Sequence, residues 1–276
     1  MPEVALKLMD VVDDPSSCAG DVAKIVIEDP AVTSRVLRIV NSAFYGRGIG
    51  RSPITSIPYA VARLGMREIK NIVFSLGVFD MFDQQDSAIN LRNFWKHSVS
   101  VAISTRVVNS FAQDATGCTD EDLDADYVAG LLHELGLMVV SRYFPEIAHR
   151  LVEQLVRDRT AITTAEHSLY DGDHAEFGAY LTERWNFPRR ITQAIRHHHA
   201  PAEAPEEFRR SAYVVMLADY LCNLHWPEQS LEGVEYEAAE SMEAFRLLNI
   251  PYRVMSDMIE MIEEDAARSE IFISLR

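Results

Sequence analysis

Apolar residues recur along this chain at intervals of three and four, the spacing of amphipathic helices, and strand-like alternation is limited to a short tail at Ile271–Ser274. Val4, Leu8 and Val11 predict a helix over residues 3–13, and Asp21–Glu28 a second. Pro30 opens a third through Val32, Val36, Leu37 and Val40, which Asn41 and Ser42 cap and terminate. Phe44–Gly50, with three glycines in seven residues, reads as a loop; Ser56–Leu64 and Met66–Phe82 read as helices punctuated by Gly65. The polar stretch Asp83–Ser87 marks a boundary between two lobes, residues 1–86 and 87–276. Beyond it the pattern predicts helices near 94–108, 124–142, 145–157, 173–185, 188–199 and 207–224, with acidic loops at 114–122 and 231–240 before a C-terminal helical hairpin. The expected class is all-α.

Composition adds little to that picture until charge is mapped. At 48% hydrophobic and 25% charged residues, the 276-residue chain has material for one large core or two modest ones. Its first ten residues lack a basic leader pattern and no later stretch has the length of a membrane span, so a cytoplasmic location without membrane insertion is expected. Cys18, Cys118 and Cys222 are far apart and form no CxxC, which argues against a disulfide framework or a thiolate zinc site. The net charge of -16 disfavours nonspecific nucleic-acid binding. Residues 30–79 run against this trend, with Arg35, Arg38, Arg47, Arg51, Arg63, Arg67 and Lys70 set against Glu68 alone. They read either as a solvated helical face or as a docking surface for an acidic partner. Trp95 and Trp185 read as core residues rather than base-stacking ones.

Seven side chains able to ligate metal, His97, His133, Glu134, His174, His198, His199 and Asp219, fall mostly on otherwise apolar helical faces. His198 and His199 continue the stripe Ile191, Ala194, Ile195; His174 shares a face with Phe177, Gly178 and Leu181; Asp219 lies one turn from Val215 and from Cys222. A buried imidazole or carboxylate is costly unless something satisfies it, so seven such groups are expected to satisfy one another or a shared metal. His149, His167 and His225 read as surface or helix-end residues, and His197 points away from the stripe.

Particular blocks resemble a known family. Residues 28–45, EDPAVTSRVLRIVNSAFY, then Ile54–Ile57 and Leu64–Val73, are similar to the defining blocks of the HDOD family, the HD-related output domain of bacterial signalling proteins. Trp95–Ser98, Ala129–Gly136, Asp173–Gly178, Trp185–Pro188 and Ala194–Pro201 continue the resemblance in order, over about residues 1–225. The resemblance implies an N-terminal helical lobe followed by one related to HD-type metal-dependent phosphohydrolases. It assigns His97 to the first histidine of the HD pattern, His133 and Glu134 to the His-Asp doublet, and Asp219 to the closing aspartate. His174, His198 and His199 resemble the added ligands by which HD-GYP enzymes hold a second metal. The implied cofactor is a mono- or dinuclear divalent transition metal, iron, manganese, nickel or zinc, in centres where water is activated for attack on phosphorus.

Three departures bear on activity. Glu134 replaces the doublet aspartate, and its extra methylene shifts a ligating oxygen by about 1.5 Å. Leu137 stands where HD-GYP enzymes carry lysine, and no Asp-Gly-x-Gly-Tyr-Pro follows His199. The expectation is a bacterial signal-transduction output module with a degenerate HD-type centre, acting on a signalling protein partner; the alternative is a metal-dependent phosphohydrolase acting on a nucleotide or other phosphate ester.

Overall fold

The computed structural model describes residues 3–12, 14, 16–41, 54–81, 89–112, 119–229 and 238–266. Among them every regular element is helical, and the protein is all-α. The chain divides into two compact units, Met1–Gln84 and Gln85–Ala267.

In the first unit the local signals act as the sequence predicts. Helices α1 (Glu3–Val12) and α2 (Ala19–Ile27) precede α3 (Pro30–Val40), which starts at Asp29, whose carboxylate accepts from the Ala31 and Val32 amides at 2.8 and 3.1 Å. Pro30 occupies the first turn, where its missing N–H costs nothing. Asn41 ends α3 by donating to the Leu37 carbonyl at 2.8 Å, and it also clamps Ile54, donating to its carbonyl and accepting from its amide at 2.7 Å each. That clamp ties α3 to the strand of chain leading into α4 (Ile57–Leu64). Gly65, at φ 87°, terminates α4 and starts α5 (Met66–Met81), which packs against α1, α3 and α4. Of the basic residues in this region, Arg38 is exposed, Arg35 is partly buried and Lys70 is buried, so they do not form one solvated face. Ser42, Arg47, Arg51, the Phe44–Gly50 loop, the Asp83–Ser87 boundary, Cys118 and the Ile271–Ser274 tail lie outside the described residues.

The second unit is built around α6 (Leu91–Phe111), which is buried along most of its length and packs against α7 (Asp120–Leu132), α13 (Glu206–His225) and α15 (Met255–Ala266). Trp95 is buried on α6, as expected of a core residue, and Trp185 is half-buried. Around these lie α8 (Leu135–Tyr143), α9 (Pro145–Asp158), α10 (Ile162–Leu169), α11 (His174–Arg184) and α12 (Arg189–Arg196), with α14 (Ala238–Leu247) closing the C-terminal hairpin onto α13. Phe245, Leu248, Ile250, Met258 and Ile262 from this hairpin join the core of α6 and α13.

Two predicted helices need correction. The helix expected over 124–142 breaks at His133–Glu134, because the His133 ring Nδ1 donates to the Gly130 carbonyl at 2.8 Å, which a continuing helix would give to the Glu134 amide. The helix expected over 188–199 stops at Arg196. The His198 ring Nδ1 takes the Ile195 carbonyl at 2.7 Å, which a continuing helix would give to the His199 amide, and Pro201 has no N–H with which to extend it further. A further helix, α10, was not predicted at all.

Gly136, in the first turn of α8, decides how closely α8 and α11 approach. A Cβ there would fall 2.1 Å from the His174 carbonyl oxygen, which is backbone and cannot rotate away. Gly136→Ala should therefore destabilise the second unit by about 3 kcal/mol or more in denaturant unfolding; a loss below about 1 kcal/mol would show that the two helices are not held in this contact.

Candidate metal centre

Three helices and two turns bring the predicted residues to one place. His97 projects from the middle of α6 and Asp219 from the middle of α13, two helices that pack together. His133 and Glu134 occupy the α7–α8 turn, His174 is the first residue of α11, and His198 and His199 lie in the turn after α12. Asp173 fixes the start of α11 by accepting from the Glu176 amide at 2.8 Å, and the Gly136 approach brings the His174 backbone against α8.

The side chains form two adjoining trios. Ligating atoms of His97, His133 and Glu134 lie within 4.8 Å of one another, as do those of His174, His198 and His199. Asp219 completes the first, its Oδ1 2.9 Å from His97 Nε2 and 3.6 Å from His133 Nε2. The rings of His133 and His198 meet edge to face with centroids 5.2 Å apart, so the trios are continuous. All seven predicted residues are thus together. Six are at most 2% exposed, and only His199 is half-buried.

The outer nitrogens settle which atoms face inward. His133 Nδ1 donates to the Gly130 carbonyl at 2.8 Å, and His198 Nδ1 to the Ile195 carbonyl at 2.7 Å; a carbonyl only accepts, so both protons sit on Nδ1. His174 Nδ1 donates to Glu166 Oε2 at 2.7 Å. In a neutral ring so anchored, Nε2 is a bare lone pair. The bare Nε2 atoms of His174 and His198 face each other at 3.3 Å, with His199 Nε2 3.0 Å from that of His174 and His97 Nε2 3.3 Å from that of His133.

Glu166 was missed by sequence reasoning. It is fully buried on α10 beside Ile162 and Ala165, an acid on an apolar i, i+3, i+4 face, and the logic that singled out the histidines applies to it equally. Burial opposes its ionisation, but hydrogen bonds from His174 and Tyr170 hold its carboxyl below the usual range. It orients the His174 imidazole, as a carboxylate does behind a histidine that could ligate metal. Asp219 behaves similarly. Burial would raise its pKa, yet the hydrogen bond of His97, 2.9 Å away, holds its carboxyl well below the usual value, and Asn223 donates to it at 3.1 Å. Burial, reinforced by the charges of His199, His133 and His174, pushes His198 well below an ordinary histidine, so a proton is poorly tolerated there. His149 and His167 are exposed and bond their own helices, as expected.

Fold and site together define an all-helical protein with a buried histidine–carboxylate centre in its second unit. The chain belongs to the HDOD family: the HDOD domain model matches residues 1–201. An uncharacterized protein of Treponema pallidum (strain Nichols) is 30% identical over 220 residues, 79% of this chain, which spans 41% of that protein's length. An HDOD domain protein of unknown function from Geobacter sulfurreducens superposes with a TM-score of 0.78 at 24% identity, covering 98% of this chain and 91% of that one. A proposed signal transduction protein from Marinobacter aquaeolei VT8 gives 0.82 at 22% identity, over 99% of this chain and 58% of that one. A proposed phosphohydrolase from Shewanella amazonensis SB2B gives 0.75 at 22% identity, over 100% and 94%. At these identities the solved structures establish the fold. Among the described residues no helix is long and apolar enough to cross a membrane.

Cys222 stands one turn beyond Asp219 but faces Ser104 Oγ at 3.2 Å, and burial pushes its thiol above the ordinary range. With Cys222 as the single remaining cysteine, the folded protein should resist a thiol reagent and react only on unfolding; rapid native labelling would place this thiol somewhere other than the α6–α13 core.

Proposed function

We propose that this protein is a signal-transduction regulatory module whose second unit is organised by one or two divalent transition-metal ions, and that it acts through protein contacts. The carrying observation is the spacing of the inward atoms. Imidazole ligands at about 2.0–2.1 Å from a common ion stand about 2.9–3.4 Å from one another in tetrahedral or octahedral arrangements. The separations His97–Asp219, His174–His199, His97–His133 and His174–His198, 2.9, 3.0, 3.3 and 3.3 Å, fall in that range, and His133–Asp219 at 3.6 Å lies just beyond it. The two bare lone pairs of His174 and His198, 3.3 Å apart, repel unless a cation lies between them, and burial of His198 disfavours a proton there.

His97, His133, Glu134 and Asp219 would hold one ion, and His174, His198 and His199 a second. An ion so held would supply Lewis acidity and, here, cohesion between three helices and two turns. Burial of the donors supports a regulatory role over efficient turnover, since only the His199 side is open enough for a substrate to approach. Leu137, fully buried, offers no charge to a phosphate, and Glu134 displaces the doublet oxygen. The expected activity is at most slow, unselective phosphate-ester hydrolysis. Partner contact is assigned to the first unit, where Arg38 is exposed and Arg35 partly so.

Protein purified without added metal should carry transition metal by mass spectrometry, and chelation should lower Tm by about 5–10 °C, the expected shift for loss of a ligand present at ~100 times its Kd. His133→Ala should abolish retention, whereas charge reversal at Arg35 and Arg38 should leave metal content unchanged. Glu166→Gln keeps the shape but removes the charge behind His174, and should weaken affinity about 10–100-fold in a competition titration. Robust hydrolysis of a defined nucleotide, abolished by His133→Ala or Asp219→Ala, would reject the regulatory reading in favour of a phosphohydrolase.

A further inference from the structure

A cavity of about 420 Å³ opens between α8, α9, α11 and the α10–α11 turn, within the second unit. Its volume is that of small-molecule sites. Four aromatic rings line it, Phe144, Tyr170, Phe177 and Tyr180, and Phe144 and Tyr180 are about half exposed, unusual for large apolar groups left without a partner. The polar side chains on its wall besides the two tyrosines are all carboxylates, Asp171, Asp173 and Glu176, and no lysine, arginine or histidine lines it. One Asp173 oxygen caps α11 and is occupied by the Glu176 amide. Asp171 and Glu176 are exposed and make no such cap.

We infer that this cavity binds a small organic cation, an amine carried on an apolar or aromatic body. Ring faces attract a cation through their quadrupoles, and the carboxylates supply opposite charge at the rim; an anion would meet three like charges and a neutral apolar molecule would leave them unused. The volume suits a free small molecule and excludes a helix. The binding stands on the cavity itself and does not depend on the metal centre.

A linkage to the metal centre, which does rest on that reading, follows from Tyr170. Its ring lines the cavity while its hydroxyl donates to Glu166, whose other oxygen accepts from His174. A cation seated on the ring therefore lies two hydrogen bonds from a proposed ligand. Binding at either place should change affinity at the other by the same factor.

Titration calorimetry with phenethylamine, 2-phenylethanol and phenylacetate on chelator-treated protein tests the site. Phenethylamine should bind about tenfold more tightly than the alcohol, with no saturable binding of the acid. Glu176→Gln and Tyr180→Ala, both at exposed positions, should each weaken the amine about fivefold while leaving Tm unchanged. Equal affinity for amine and alcohol, absence of saturable amine binding, or insensitivity to both variants would overturn the site. In cobalt(II) titrations, an amine-dependent affinity change lost in Tyr170→Phe supports the linkage, and an unchanged affinity overturns it. Failure of cobalt to bind overturns the metal reading and with it the linkage, while amine selectivity, measured without metal, is judged separately.

Discussion

Lone pairs aimed at one another are the constraint on which the second unit depends. Three imidazoles are pinned through Nδ1, to the Gly130 and Ile195 carbonyls and to Glu166, and each pinning turns an Nε2 inward. The geometry is costly for the bare protein where two pinned rings meet, because the lone pairs of His174 and His198, 3.3 Å apart in a buried site, gain nothing from one another. A divalent cation reverses the sign of that interaction. The α7–α8 break, the α12 stop before Pro201 and the α11 start at Asp173 all place a ligand where an unbroken helix could not.

The same constraint explains the glycine at 136. Bringing His174 into range requires the first turn of α8 to touch the backbone of α11, which leaves no room for a side chain. Packing and chemistry are therefore the same contact: the close approach that seats His174 also brings α8, with Glu134 at its N-terminus, against the second trio. The first unit has a separate logic, with an Asp29 cap, a Pro30 start and an Asn41 clamp on Ile54.

Much of this was legible in the sequence because its punctuation is strong. Pro30, Asn41, Gly65 and Pro145 bound helices where expected, and the seven candidate ligands, which the structure brings together, stood out as polar groups intruding on apolar faces. Periodicity misled where side chains override it. Residues 124–142 keep a continuous apolar pattern through His133–Glu134, and only the ring of His133 competing for the Gly130 carbonyl breaks the helix. His198 and His199 were identified from a stripe that the structure ends at Arg196; their burial comes from the turn instead. Glu166 escaped because its helix was not recognised, although its position beside Ile162 and Ala165 carries the same signal as the histidines.

X-ray absorption at the metal edge of the purified protein tests the central claim most directly. The account predicts nitrogen and oxygen neighbours at about 2.0–2.2 Å with the outer-shell scattering of several imidazoles. Sulfur at about 2.3 Å, or a protein that stays equally stable and binds no transition metal at all, would contradict it.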